Sequence, residues 1–141
     1  MTARIAIAVC ALAVSGCAQW SAETRGEEYV YQLVSAVDAV QSARGARDPA
    51  CYTESAQPAA VLIGGHPSPA AAIAWGAARA GVHAAVTGIL DAEDADAWVQ
   101  RIWQFVTIAD ESYYVHYNWS IGLHFGGARA PAGAPCRQAS P

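Results

Sequence analysis

The 141-residue sequence contains no lysine and carries little charge. Arginine and the acidic residues together make up 14% of the chain, and the formal net charge is −4. The eight arginines are scattered, so no basic stripe or cluster forms. Nucleic-acid binding depends on such a basic footprint, and we therefore expect no nucleic-acid partner. The same lack removes a polybasic contribution to binding anionic lipid.

The motifs of common catalytic and metal sites are also missing. The sequence has no GxSxG elbow, no phosphate-binding glycine loop, no CxxC pair and no HxxxH pair. The four histidines are widely spaced, at His66, His83, His116 and His124. We therefore expect no metal, no cofactor and no enzymatic activity.

No apolar run near the amino terminus is long enough to span a bilayer, which takes about 20 residues. The run over 5–14 is only about half that length and follows the short basic start 1–4. It ends on Val14-Ser15-Gly16-Cys17. A basic start, an apolar run and small residues before a cleavage point are typical of a secretory signal peptide.

The four residues that end at Cys17 resemble the lipobox of bacterial lipoproteins. This resemblance implies that 1–16 is a signal peptide that is removed. It also implies that the Cys17 thiol is diacylglycerated and that the new amino terminus is usually acylated too. Two or three acyl chains hold a protein stably at a membrane. The alternative is plain secretion with an incidental cysteine at this position.

The residue after Cys17 is Ala18 and not an aspartate. By the same resemblance, this favours the outer membrane of a two-membrane bacterium, with the protein facing the periplasm. The expected contact with the membrane is therefore the lipid on Cys17. No motif in the part of the chain that follows the predicted signal peptide indicates a specific family.

The remaining cysteines are predicted to form a disulfide. Cys10 would leave with the signal peptide and Cys17 would carry lipid, which leaves Cys51 and Cys136 in an oxidising compartment. A bridge between them would close a long loop and stabilise the fold by roughly 4–5 kcal/mol in the chain-entropy model. Two free thiols are the alternative.

The mature chain of about 125 residues suits one domain with one hydrophobic core. We assign 17–26 to the lipidated amino terminus and a linker, and 27–126 to a helical domain. A tail rich in glycine, alanine and proline follows over 127–141.

Three segments have helical periodicity. The first, 27–43, has an apolar stripe formed by Val30, Leu33, Val34, Val37 and Val40. The second runs from Pro69 to about Leu90, with Ser68 as N-cap. It is apolar nearly all round, so we expect a helix buried in the core. The third begins in the acidic stretch 91–96, where negative charge favours a helix start.

The third helix also has an apolar stripe, made of Ala95, Trp98, Ile102, Val106, Ala109, Tyr113 and Tyr117. We expect Trp98 and Ile102 to face the core. Over 113–125 apolar and polar residues also alternate, which is typical of a strand. We predict a helix to about Asn118 and an extended segment after it, with a strand as the alternative. The fold class is therefore mainly α, a small three-helix domain with an extended or β C-terminal segment.

Asp38, Arg79 and His83 are the best candidates for a polar site. Arg79 and His83 lie four residues apart and therefore share one helical face. If Asp38 meets either of them, a buried charged network results. Such a set serves as an acid/base pair in a small periplasmic enzyme, or more commonly as a structural ion pair.

The aromatic residues of the third helix exceed what one helical stripe can bury. Exposed aromatics would mark a contact with an envelope protein or a membrane surface, whereas burial under the tail is the alternative. We therefore expect a lipid-anchored, non-enzymatic interaction or scaffold module of the cell envelope. A periplasmic enzyme and a carrier of apolar ligands are the other hypotheses. Polar groups that converge in a pocket would favour the enzyme, and an open apolar cavity would favour the carrier.

Overall fold

The structure, a computed structural model, describes residues 20–49, 51–56, 58–93 and 95–123. These residues form four helices and no strand. The helices are α1 (Ala22–Gly45), α2 (Ala59–Leu62), α3 (Pro69–Ala92) and α4 (Ala97–Ser120). The prediction of a mainly helical domain with three long helices is confirmed.

Several predictions concern residues outside the described ranges. The signal peptide over 1–16, the lipidation site Cys17 and the tail over 127–141 all lie there. Cys51 is disulfide-bonded, but its predicted partner Cys136 also lies outside. The Cys51–Cys136 pairing therefore stays a prediction.

The first long helix begins inside the segment that was predicted to be a linker. Ser21 is its N-cap, and the Ser21 hydroxyl accepts a hydrogen bond from the backbone N–H of Thr24 at 3.0 Å. Residues 22–26 are therefore helical, and the linker assignment is wrong over them. The prediction placed the start where the apolar periodicity becomes clear, but the cap that fixes it lies nine residues before Val30.

The start of α3 and the end of α4 are determined by the residues at these positions. Ser68 caps α3 through the N–H of Ala71, as predicted. After α4, Gly122 adopts a positive φ of 96°. The N–H of Gly122 then donates to the carbonyl of Trp119, and the N–H of Leu123 donates to that of Asn118. This is a Schellman motif. The helix reading to about Asn118 is confirmed, and the strand alternative is wrong for 113–120.

The central helix is α1, which contacts both α3 and α4 extensively, whereas α3 and α4 contact each other much less. The approach of α1 and α3 is closest at Gly76. A Cβ placed on Gly76 would overlap the Cβ of Ala39 on α1. A glycine is required here because the two helices leave no room for a side chain.

The inner and outer faces of α1 are the reverse of the prediction. The stripe from Val30 to Val40 lies largely in solvent or half-buried, and Leu33 is 68% exposed. The buried side is mostly polar, with Thr24, Glu28, Tyr31, Ser35, Asp38, Gln41 and Ser42 among its members. The prediction that the aliphatic stripe faces the core is therefore wrong. Periodicity identifies a two-faced helix but does not identify the face that is buried.

The other two long helices show the same inversion. The prediction that α3 is buried in the core is wrong, because Ile73, Val82 and Ile89 are all exposed. The expectation that Trp98 and Ile102 of α4 face the core is also wrong, since Trp98 is 63% exposed and Ile102 is exposed too. The fully buried positions of α4 are Gln104, Glu111 and Asn118. The described helices thus enclose a polar interior and present an apolar exterior.

Candidate functional site

The buried polar interior contains two clusters, and Glu28 is the centre of the first. One Glu28 oxygen accepts hydrogen bonds from His83 Nδ1 at 2.8 Å and from the Thr87 hydroxyl at 2.9 Å. The other accepts from Gln32 Nε2 at 2.6 Å. Burial raises the pKa of Glu28, but these hydrogen bonds and the charge of His83 outweigh burial and lower it. Glu28 is therefore a buried carboxylate held in its ionised form.

The second ring nitrogen of His83 faces a hydroxyl. His83 Nε2 lies 2.8 Å from Thr107 Oγ1. The Thr107 hydroxyl also lies within hydrogen-bond distance of two backbone carbonyls, that of Trp103 at 2.7 Å and that of Gln104 at 3.1 Å. The Glu28 carboxylate accepts from Nδ1, so this ring nitrogen carries a hydrogen. His83 therefore connects a carboxylate on α1 with a hydroxyl on α4.

Two aromatic rings enclose the His83 ring. Tyr31 stacks on it with ring centroids 3.4 Å apart, and Trp103 stacks with centroids 5.0 Å apart. The sandwich joins α1, α3 and α4 through one side chain.

The hydroxyl of Thr87 completes the first cluster. It donates to Glu28 and accepts from Trp103 Nε1 at 3.1 Å and from Gln104 Nε2 at 3.0 Å. Its one donor and two acceptor positions are all used. A polar group that is removed from water needs such partners, because each unpaired group costs about 1–3 kcal/mol.

The second cluster surrounds Arg79. Its guanidinium pairs with Asp38 at 3.6 Å and with the buried Glu111. Asp38 also accepts a hydrogen bond from Asn118 Nδ2 at 2.8 Å. Two carboxylates therefore share one arginine. Burial and, next, the negative charge of Glu111 raise the pKa of Asp38 to about 7, against the opposing effect of Arg79.

A cavity of about 260 Å³ adjoins the second cluster. It lies between α1, the loop over 51–56, α3 and α4, and Asp38 and Arg79 are part of its wall. The Trp75 indole N–H is buried beside it and has no hydrogen-bond partner among the described residues. The cavity is therefore partly polar. It does not match the apolar cavity that a carrier of apolar ligands requires.

The three predicted site residues are divided between the two clusters. Asp38 and Arg79 meet, as the sequence suggested, whereas His83 pairs with Glu28 instead. Sequence reasoning missed the other members of the network, which are Glu28, Thr87, Gln104, Thr107, Glu111 and Asn118. A signal for them does exist. Polar residues recur on α1 at 28, 31, 35, 38 and 42, and on α4 at 104, 107, 111, 114 and 118, with alternating steps of three and four.

Glu28, His83 and Thr107 form a line of carboxylate, imidazole and hydroxyl, which is the order found in nucleophilic triads. The Thr107 hydroxyl also lies 2.7 Å from the carbonyl of Trp103, one turn earlier. Neither His83 nor Thr107 lines the 260 Å³ cavity. The line connects α1, α3 and α4 by hydrogen bonds in the buried interior.

No helix in the described ranges combines the length and apolar character needed to cross a membrane. No group of three or more histidine, cysteine, aspartate or glutamate side chains there is placed to hold a metal ion. Among the described histidines, His66 lies 3.1 Å from the carbonyl of Tyr52 and His116 is exposed on α4.

No protein-family model, no curated protein and no solved structure matches this chain.

Proposed function

We propose that this chain is a non-enzymatic interaction module of a bacterial cell envelope, held at a membrane through lipid on Cys17 and docked on an envelope protein. The observation that carries the proposal is the inverted distribution of side chains. Large hydrophobic residues are exposed on each of the long helices, for example Leu33, Val82 and Phe105. Exposed apolar surface of this extent marks a contact site.

The outer face of α4 contributes the largest aromatic groups. Its exposed aromatics include Trp98, Phe105, Tyr113 and Trp119, and Phe105 is 75% exposed. At roughly 200 Å² for each buried aromatic side chain, these four leave about 500 Å² in solvent. A stable interface buries about 800 Å² on each partner. These four side chains would therefore supply more than half of the area that one partner buries in a stable interface.

A protein partner suits this surface better than an anionic membrane surface does. The chain has no lysine and a formal charge of −4, so it lacks the basic residues that attract anionic lipid. Aromatic residues are enriched at protein interfaces and account for many of the residues that contribute most to binding. The proposed lipid on Cys17 would supply the attachment to the membrane by itself.

Site-specific photocrosslinking in cells tests the docking proposal. A photoreactive amino acid is placed at Phe105, and a matched control is placed at Asp110, an exposed polar position of the same helix that lies about 140° around the helix axis from Phe105. We expect a discrete protein adduct from position 105 and none from position 110. Adducts with lipid alone at position 105, or equal adducts at both positions, would contradict a protein docking surface.

The anchor is tested separately by mass spectrometry of the mature chain. We expect a triacylated cysteine at position 17, and a Cys17→Ala variant that remains unprocessed or is mislocalised. A bare amino terminus or an intact leader on the wild-type protein would refute the lipid anchor. It would leave the docking proposal to be decided by the crosslinking alone.

A further inference from the structure

The cavity beside Arg79 has a wall that combines aromatic rings with carboxylates. The aromatic residues are Tyr52, Trp75, Tyr114 and Tyr117, from the loop over 51–56, α3 and α4. Asp38 and Glu54 add their carboxylates to the same wall, and Arg79 is the one basic residue among the described residues that line it. Its volume of about 260 Å³ is near the lower end for small-molecule sites.

Negative charge exceeds positive charge around the cavity. The single charge of Arg79 is shared between the buried Glu111 and Asp38. Because the pKa of Asp38 is raised to about 7, Asp38 is fully ionised only above neutral pH. The half-buried Glu54 adds another carboxylate, and its charge contributes to raising the pKa of Asp38. A buried carboxylate without a full counter-charge is costly. A bound cation would reduce that cost, whereas a bound anion would increase it.

The aromatic wall favours an organic cation over a metal ion. Ring faces attract ammonium groups, and aromatic cages are a recurring way to bind them. The Trp75 N–H adds a second requirement, because it is a buried donor that finds no acceptor among the residues that the structure describes. A ligand that supplied an oxygen there would remove an unsatisfied group.

We propose that this cavity binds a small organic ammonium compound that also carries a hydroxyl or carbonyl oxygen. The ammonium group lies among the aromatic rings near Asp38, and the oxygen accepts from the indole N–H of Trp75. This site is separate from the apolar outer face of α4. The binding proposal does not depend on the docking function proposed above.

Calorimetry on the purified mature chain tests the proposal with three probes. Choline carries a quaternary ammonium and a hydroxyl, and ethanolamine carries a primary ammonium and a hydroxyl. The control is 3,3-dimethylbutan-1-ol, which has the shape of choline with carbon in place of the charged nitrogen. We expect at least one of the two cations to bind roughly tenfold or more tightly than the neutral alcohol, since a desolvated cation–π contact contributes about 2 kcal/mol.

Two variants locate the binding. Trp75→Phe keeps an aromatic ring but removes the N–H donor, so we expect several-fold weaker binding of the cation that binds best. The matched control is Trp98→Phe, since Trp98 is exposed and far from the cavity wall. We expect this control to leave binding unchanged. Circular dichroism of both variants establishes that each is folded.

Three results would overturn the proposal. One is equal binding of the neutral alcohol, which would indicate a site for shape and apolar contact only. Another is the absence of binding by both choline and ethanolamine to folded wild-type protein. The third is an equal effect of Trp75→Phe and Trp98→Phe, which would place the binding elsewhere. None of these outcomes depends on the crosslinking result at Phe105.

Discussion

Replacing Glu28 by glutamine is the most informative test of the buried network. The substitution keeps the size of the side chain but removes its charge and one of its two acceptor oxygens. The carboxylate accepts hydrogen bonds from His83, Thr87 and Gln32. In either orientation the new amide places an N–H₂ donor against existing donors. The variant therefore leaves at least one buried donor of this cluster without its acceptor.

The size of the effect follows from the burial of both partners. The side chains of Glu28 and His83 are each only 2% exposed. Each buried donor that loses its acceptor costs about 1–3 kcal/mol, and His83, Thr87 and Gln32 all donate to this carboxylate. Domains of this size have a total stability of about 5–15 kcal/mol. The variant is thus expected to lose a large fraction of its folding free energy.

The assay is equilibrium unfolding in urea, with Glu23→Gln as the matched control. Glu23 lies on the same helix and pairs with Arg101, but both side chains are 65% exposed. An exposed pair of this kind contributes about 0–1 kcal/mol. If Glu28→Gln lowers the free energy of unfolding no more than Glu23→Gln does, the buried network does not hold the helices together.

Two further predictions concern packing and pH. Gly76→Ala is expected to destabilise the protein by about 1–3 kcal/mol in thermal unfolding, because its Cβ would overlap Ala39. The control Gly81→Ala places its Cβ in open space and should be neutral or stabilising. Equal effects of the two substitutions would contradict the close contact between α1 and α3. Native Asp38 keeps its proton to about pH 7 but releases it near 3.8 when unfolded, so the native state binds more protons between these values. The free energy of unfolding should therefore fall by at most about 4 kcal/mol as pH rises from about 4 to 7. Asp38→Asn should flatten this dependence, and an unchanged slope would refute the assignment.

The number and the approximate ends of the long helices could be predicted from sequence. Ser68 and Pro69 mark a helix start by local chemistry alone, and the cap is where it was expected. The end of α4 depends on Gly122, whose positive φ and two capping hydrogen bonds are also local. Local signals of this kind do not depend on what the helix packs against.

The orientation of the helices could not be predicted in the same way. On α1 the stripe that contains Leu33 and the stripe that contains Ser35 have the same helical period. The usual rule places the apolar stripe inside. Here the polar stripes of three helices satisfy one another, and the apolar stripes are left outside. That outcome depends on partners such as Glu28 and His83, which lie 55 residues apart, and no single-helix pattern contains this information.

The candidate site was predicted in part for the same reason. The i, i+4 spacing of Arg79 and His83 places them on one face, and the structure agrees. The carboxylates that pair with them come from α1 and α4, so their choice depends on how the helices dock. The sequence predicts an excess of aromatic residues on α4, but this excess alone does not indicate which of them are buried. Trp103 is stacked on His83, whereas Trp98 lies in solvent.

The most direct test of the inverted interior is one pair of substitutions on α1, measured by urea unfolding of the purified protein. Leu33 is 68% exposed and Ser35 is 2% exposed. We predict that Leu33→Ser changes the free energy of unfolding by less than about 0.5 kcal/mol, as surface substitutions do. Ser35→Leu should cost about 1–3 kcal/mol by overpacking a filled polar interior. A loss of about 2–5 kcal/mol for Leu33→Ser, with Ser35→Leu tolerated, would show that the aliphatic face is the buried one and would contradict the account.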